Sequence, residues 1–242
     1  MALEVDIMKS LPEFDLEVSF TCKKGELNVF IGPSGAGKTT LIRIIAGLEK
    51  ADKGYIAHDG DIWVDTKQGI FLPPQKRQLG YVFQEYTLFP HLSVYNNVAF
   101  AAPEEGEIER LLKFFGIWHL KDAMPNKISG GERQRCAICQ NLARQPHVLL
   151  LDEPFSALDL PIRKKLRQEL KMLKKELSFP MVYVTHDLPE ALFLGDNVLP
   201  IVKGKIVPAW LQDQLKNVIE DYVWMDRYMR DVGKVVPVLD DK

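Results

Sequence analysis

The sequence predicts an α/β fold: a parallel sheet with helices on both faces, a smaller antiparallel β subdomain and an inserted α-helical subdomain. Three observations predict it. Leu27 to Ile31, His147 to Leu151 and Met181 to Thr185 are short apolar runs, the pattern of strands covered on both faces. Phe14, Leu16, Val18 and Phe20 alternate instead with Asp15, Glu17 and Ser19, the period of a half-buried strand. From about residue 86 to about residue 146 the apolar spacing turns helical.

Leu3 to Ile7 and Tyr55 to Val64, the latter turned at Asp59-Gly60, complete the antiparallel part. Phe14 suits stacking on an adenine ring or filling the core of its strand, and periodicity leaves both open. Leu27 to Ile31 runs into Gly32-Pro33-Ser34-Gly35-Ala36-Gly37-Lys38-Thr39-Thr40 and then into the apolar helix Leu41 to Ala46. Strand, glycine-rich turn and helix in that order fit G-x-x-x-x-G-K-[ST], the phosphate-binding loop. Glycines at such positions let backbone N–H groups approach phosphate oxygens, and the helix points its positive end at the same anion. Lys38 can reach the β- and γ-phosphates, and the Thr39 hydroxyl can ligate Mg²⁺. These residues predict binding of a nucleoside triphosphate.

Gln84 ends the next buried run, Leu79 to Phe83, where a glutamine can meet Mg²⁺ or an attacking water. Glu85 to Pro90 reads as a loop exposing Tyr86, Leu88 and Phe89. Ser93 caps a helix over Val94 to Phe100, and Glu107 to Phe115 and Trp118 to Ala123 are expected to be helical. Ser129-Gly130-Gly131-Glu132 opens the last helix of the insertion. Its free N–H groups suit either a second anion site or a plain N-cap. Val148 to Leu151 ends in Asp152-Glu153, at the edge where open α/β sheets bind ligands. Asp152 suits Mg²⁺ coordination and Glu153 suits polarising a water. After Ser156 to Asp159 comes a lysine-rich helix to about Glu176, then the strand Met181 to Thr185, which ends at His186. A histidine there can hydrogen-bond a γ-phosphate. His58, His91, His119 and His147 read as structural or surface residues. Asn197 to Val202 and Ile206-Val207 finish the sheet, and apolar spacing from Trp210 to Met225 predicts a tail helix packing on its own domain.

Composition narrows the class. A chain of 242 residues that is 46% hydrophobic can bury a substantial core in one large domain or two small ones. A net charge of -2 and a pI near 6.2 argue against a nucleic-acid surface. The lysines after Arg163 are interleaved with Glu169 and Glu176, as on a solvated helix face. No apolar run approaches the roughly 18 residues that cross a bilayer, and the N-terminus lacks a signal-peptide core. The expectation is a cytoplasmic chain, any membrane attachment coming through a partner. Three cysteines do not suit a disulfide framework. Cys136 and Cys139, within a helix and without a second pair, read as buried thiols rather than a zinc or redox site.

The phosphate loop identifies a P-loop NTPase. With Gln84 as the Q-loop, Ser129 to Glu132 as the signature, Asp152-Glu153 as Walker B, Ser156 to Asp159 as the D-loop and His186 as the switch histidine, the ordered set resembles the ATP-binding subunit of an ABC transporter. The resemblance covers about residues 1–208 and implies a RecA-like ATP-binding domain with the helical subdomain at about 86–146, followed by a tail over 209–242. It implies ATP and Mg²⁺ as cofactors and a homodimer closing head to tail, each ATP held between one phosphate loop and the other chain's Ser129, Gly130, Gly131, Glu132 and Asp159. It further implies Glu153 as base or water-positioner, His186 on the γ-phosphate, Gln84 as reporter of nucleotide state and Phe14 near adenine. The permease would dock near Tyr86 to His91 at the cytoplasmic membrane face, with a solute-binding protein as indirect partner. Ile128, Glu132 and Gln140 depart from the commoner leucine, glutamine and arginine. The stretch Asp65 to Arg77 resembles molybdate/tungstate importer ATPases, while sulfate, iron(III), polyamine and sugar importers share the later residues Gly80 to Gln84 and Leu88 to His91. Too few residues follow Val207 for the regulatory oxyanion domain such subunits often carry. The competing readings are a soluble ABC ATPase without a permease and a small-molecule kinase.

Overall fold

The computed structural model describes residues 2–84, 87–100, 102 and 105–216. Met1–Ile206 form one compact unit and Val207–Lys242 another. In the first, β1 (Ala2–Ser10) and β2 (Asp15–Lys23) make a hairpin paired over its full length. β2 begins one residue after Phe14, which instead lies in the turn, where its carbonyl accepts from the Leu11 amide. Then come β3 (Leu27–Ile31), α1 (Lys38–Ala46), β4 (Lys53–His58), β5 (Asp61–Asp65), the two-residue β6 (Ile70–Phe71) and β7 (Leu79–Val82). The turn between β4 and β5 falls at Asp59 and Gly60, with φ of 52° and 89°, the left-handed pair that a tight hairpin favours.

Between β7 and β8 (Val148–Asp152) the described residues hold α2 (Val94–Ala99), α3 (Glu105–Phe114), α4 (Gly130–Leu142) and two short 3₁₀ turns. Ser93 caps α2, its hydroxyl accepting from the Asn96 amide. Trp118 to Ala123 does not form the expected helix: only Trp118–Leu120 winds, as a single 3₁₀ turn. Three more elements complete the core fold: α5 (Leu160–Lys174), β9 (Met181–Thr185) and α6 (Leu188–Leu194). β10 (Asn197–Val202) and β11 (Lys205–Ile206) close the unit. The second unit's described part is a helix over 208–216. Val218, Ile219, Tyr222 and Met225 of the expected tail helix lie outside the described residues.

The strands form one sheet in the order β6-β5-β4-β1-β2-β11-β10-β3-β9-β8-β7. The antiparallel and parallel halves join at a single pair, Lys205 with Glu17, between β11 and β2. β3, β8 and β9 are buried at every residue, as central parallel strands should be. Helix α1 sits in a core shared with both halves: its Leu41, Ile42, Ile44 and Ile45 belong to one buried cluster with Val5 and Val18 of the antiparallel half and Leu150 and Val184 of the parallel half. All three cysteines are buried and unpaired, and burial pushes the Cys136 thiol up to about 12, an inert setting.

Candidate functional site

β3, β9 and β8 are neighbours in the sheet and parallel, so their C-terminal ends deliver three loops to one edge. The first is the phosphate loop. Gly32 can only be glycine here, because a Cβ would stand 2.0 Å from the Ile201 carbonyl oxygen. Gly37, at φ 98°, opens α1 without a side-chain cap, leaving first-turn amides for an anion. Lys38 is 5% exposed and donates from Nζ to the carbonyls of Gly32 and Pro33, both at 2.8 Å. Burial pushes its pKa down, opposed by Glu153 and Asp152. The Phe14 ring packs beside this loop: a Cβ on Gly37 would lie 3.5 Å from Phe14 Cε2. Half-buried in its turn, Phe14 is therefore not a core aromatic of β2.

The second loop carries the carboxylates. Asp152 is buried, which pushes its carboxyl up. Its Oδ1 accepts from Thr39 Oγ1 at 3.4 Å and its Oδ2 from the Tyr81 hydroxyl at 3.0 Å. The Thr39 hydroxyl and the Asp152 carboxylate are hard oxygen donors facing one point. They fit Mg²⁺, which binds through one or two protein ligands and takes phosphate and water for the rest. Among the described residues no group of three or more His, Cys, Asp and Glu side chains could hold a metal by itself. Glu153 follows at φ 44°, a left-handed conformation that a non-glycine residue adopts at a cost.

The third loop brings His186, whose Nδ1 lies 3.0 Å from Glu153 Oε2. With Nδ1 turned to the carboxylate, Nε2 is the ring nitrogen left for a phosphate oxygen. Gln84 is exposed, two residues beyond the last β7–β8 pair, Val82 with Leu151; it makes no hydrogen bond to Asp152 or Thr39 here.

Ser129 and Asp159 serve as helix caps. Ser129 closes a capping box on α4: its amide and hydroxyl donate to Glu132 Oε2 at 2.7 and 2.8 Å, and the Glu132 amide donates back. Those bonds hold the Glu132 carboxyl below its ordinary range. Gly131 packs on α5, where a Cβ would meet Ile162 Cγ2 at 2.7 Å. Asp159 Oδ1 accepts from the Ile162 amide. Among the described residues no hydrogen bond or ion pair joins Ser129–Glu132 or Asp159 to the phosphate-loop cluster.

Sequence reasoning missed Tyr81, whose hydroxyl orients Asp152 from 71 residues away. It also missed an ionic network behind His186. Asp187 pairs with Arg163 at 3.1 Å and Arg167 at 2.9 Å. Glu190 accepts from Tyr183 and Thr185. The available signal was faint: two arginines at i and i+4 on a helix otherwise rich in lysine.

A family profile described as ABC transporter matches residues 16–156. A molybdenum import ATP-binding protein, ModC, of Pseudomonas savastanoi pv. phaseolicola is 40% identical over 213 residues, 86% of this chain and 59% of its own. The ModC of Methylococcus capsulatus is 41% identical over 203 residues, 82% of this chain and 56% of its own. A trehalose/maltose import ATP-binding protein, MalK, of Thermococcus litoralis is 38% identical over 221 residues, 87% of this chain and 59% of its own. The chain thus spans under three-fifths of the length of these relatives. A solved dimeric ATP-binding cassette, MJ0796, in a post-hydrolysis state bound to ADP and Pi, superposes with a TM-score of 0.69 at 30% identity. The match covers 85% of this chain and 96% of the other.

Proposed function

The chain belongs to the ABC transporter family, and on that footing we propose that it is the ATP-hydrolysing subunit of an importer, powering uptake of molybdate or tungstate by closing as a dimer on a membrane permease. The observation that carries the chemistry is the convergence of Lys38, Thr39, Asp152, Glu153 and His186 at the ends of three adjacent strands. The phosphate-loop amides and Lys38 hold the β- and γ-phosphates, and Lys38 exchanges its two carbonyl partners for phosphate oxygens. Thr39 and Asp152 would hold Mg²⁺, which neutralises charge on the transferring phosphoryl group. Glu153 positions and polarises the attacking water, and His186 Nε2 binds the γ-phosphate. Ser129 to Glu132 and Asp159 act on the ATP of the second chain, Phe14 lies against adenine, and Gln84 relays nucleotide state.

A cleft of about 810 Å³ between the sheet edge and α4 supports a docked permease. Phe83, Phe89 and the 70%-exposed Phe100 line it, with the exposed Arg144 and His147, and among the described residues no acidic side chain does. An apolar permease helix bearing a carboxylate matches that surface. No described helix is long and apolar enough to cross a membrane. In this reading the permease holds the chain at the membrane, and a solute-binding protein would deliver cargo to that permease. The molybdate assignment rests on the two ModC relatives; the trehalose/maltose relative keeps a different solute as the second reading.

The test is a pull-down of tagged Glu153→Gln protein with ATP from solubilised membranes of the source organism, followed by ATPase assay of the wild-type complex. Recovery of a polytopic membrane protein and stimulation by molybdate are expected. Soluble partners alone would point to an ABC ATPase without a permease, and stimulation by another solute would replace the cargo.

A further inference from the structure

Glu153 and His186 meet side chain to side chain, yet they sit on different loops, and something must keep those loops in register. The Glu153 carbonyl accepts from the Ser156 amide at 3.2 Å and from the Ser156 hydroxyl at 2.9 Å. Arg163 Nη2 then donates to the carbonyls of Ser156 and Leu158, at 3.1 and 3.3 Å. Its Nη1 donates to Asp187 Oδ2 at 3.1 Å, and Asp187 is the residue after His186. The contacts therefore close a ring: Glu153 to Ser156, Ser156 to Arg163, Arg163 to Asp187, and His186 back to Glu153. We propose that Arg163 is a positioning residue for ATP hydrolysis, one guanidinium that clamps the Glu153 loop to the His186 loop. The inference rests on the hydrolytic reading above.

The planar fork of arginine suits this task, because two nitrogens of one rigid group serve two loops at once. Arg167 cannot substitute. It pairs with Asp187 and, at 3.4 Å, with Glu190, both on the His186 side, so it anchors that loop alone. Removing Arg163 would leave Asp187 held and the turn after Glu153 free to drift. A displacement of the order of 1 Å at a reacting group costs up to ~10²-fold in rate.

Steady-state ATPase of purified wild-type, Arg163→Leu, Arg163→Lys and Arg167→Leu proteins tests this. Arg163→Leu is expected to lower kcat at least tenfold while KM for ATP stays within about twofold, since the phosphate loop is untouched. Arg163→Lys, able to reach one loop but not both, should recover only part of that loss. Arg167→Leu should lower the melting temperature more than it lowers kcat. A folded Arg163→Leu protein with wild-type kcat, or one altered in KM alone, would overturn the proposal. Should Arg163→Leu fail to fold, Arg163→Lys decides: kcat reduced at least threefold at constant KM supports the clamp, and unchanged kcat removes it. A wild-type protein without ATPase activity would overturn the hydrolytic reading and the clamp with it.

Discussion

Replacing Glu153 by glutamine keeps the shape of the side chain and removes its ability to accept a proton or to hold a water by charge. Turnover is expected to fall about 10²–10⁴-fold, with ATP affinity, measured by fluorescent-nucleotide titration, nearly unchanged. Asp187 carries a pH signature. Burial works to raise its carboxyl pKa, but the Glu190 amide and the Arg167 and Arg163 guanidiniums prevail and hold it below the usual carboxylate range. A group depressed in the folded state stabilises the fold above its unfolded pKa and loses that contribution as pH falls through the folded one. The melting-temperature gap between wild-type and Asp187→Asn protein should therefore be widest near neutrality. It should close as pH drops below about 4. A gap independent of pH would remove the charge pairing as its cause.

Helix α1 depends on one distant side chain. Arg77 donates to the carbonyls of Ile44 and Ile45 at the C-terminal end of α1 and to that of Leu72, with the Trp63 and Phe71 rings 5.6 and 5.3 Å away. Burial pushes its pKa down to about 10, still charged at neutral pH. Arg77→Ala strips the guanidinium from those carbonyls, of which, among the described residues, only Ile44 keeps another donor, the Gly47 amide at 3.0 Å, and should destabilise the protein by about 2–4 kcal/mol in urea unfolding. For elements such as this the sequence is informative where patterns are local. Short, mostly apolar runs mark β3, β8 and β9 because both faces are buried, and the Asp59-Gly60 pair marks its hairpin by backbone chemistry. The phosphate loop, Asp152-Glu153 and His186 are legible because each follows such a strand. Arg77 over α1, Tyr81 on Asp152 and Arg163 between two loops are not, since pairings set by tertiary packing leave no period in the chain. Phe14 reads as strand because alternation cannot show where a turn ends.

For the molecule as a whole, the cleft and the nucleotide edge meet at Tyr81, which lines the one and donates to Asp152 at the other. Phe100→Ser should cut recovery of the membrane partner severalfold in the pull-down and leave the melting temperature unchanged, because the ring is mostly in solvent. Equal recovery would move the docking surface elsewhere. Glu153 also bears on the stability of the whole chain. Its φ of 44° stores on the order of 1 kcal/mol, which glycine would release, less some loss to its greater unfolded-state freedom. Glu153→Gly is expected to melt at or above the wild-type temperature while hydrolysing nothing. Selection of this chain for heat resistance alone would thus tend to arrive early at position 153 and return a sturdier, idle protein, so any thermostability campaign must screen for turnover in parallel.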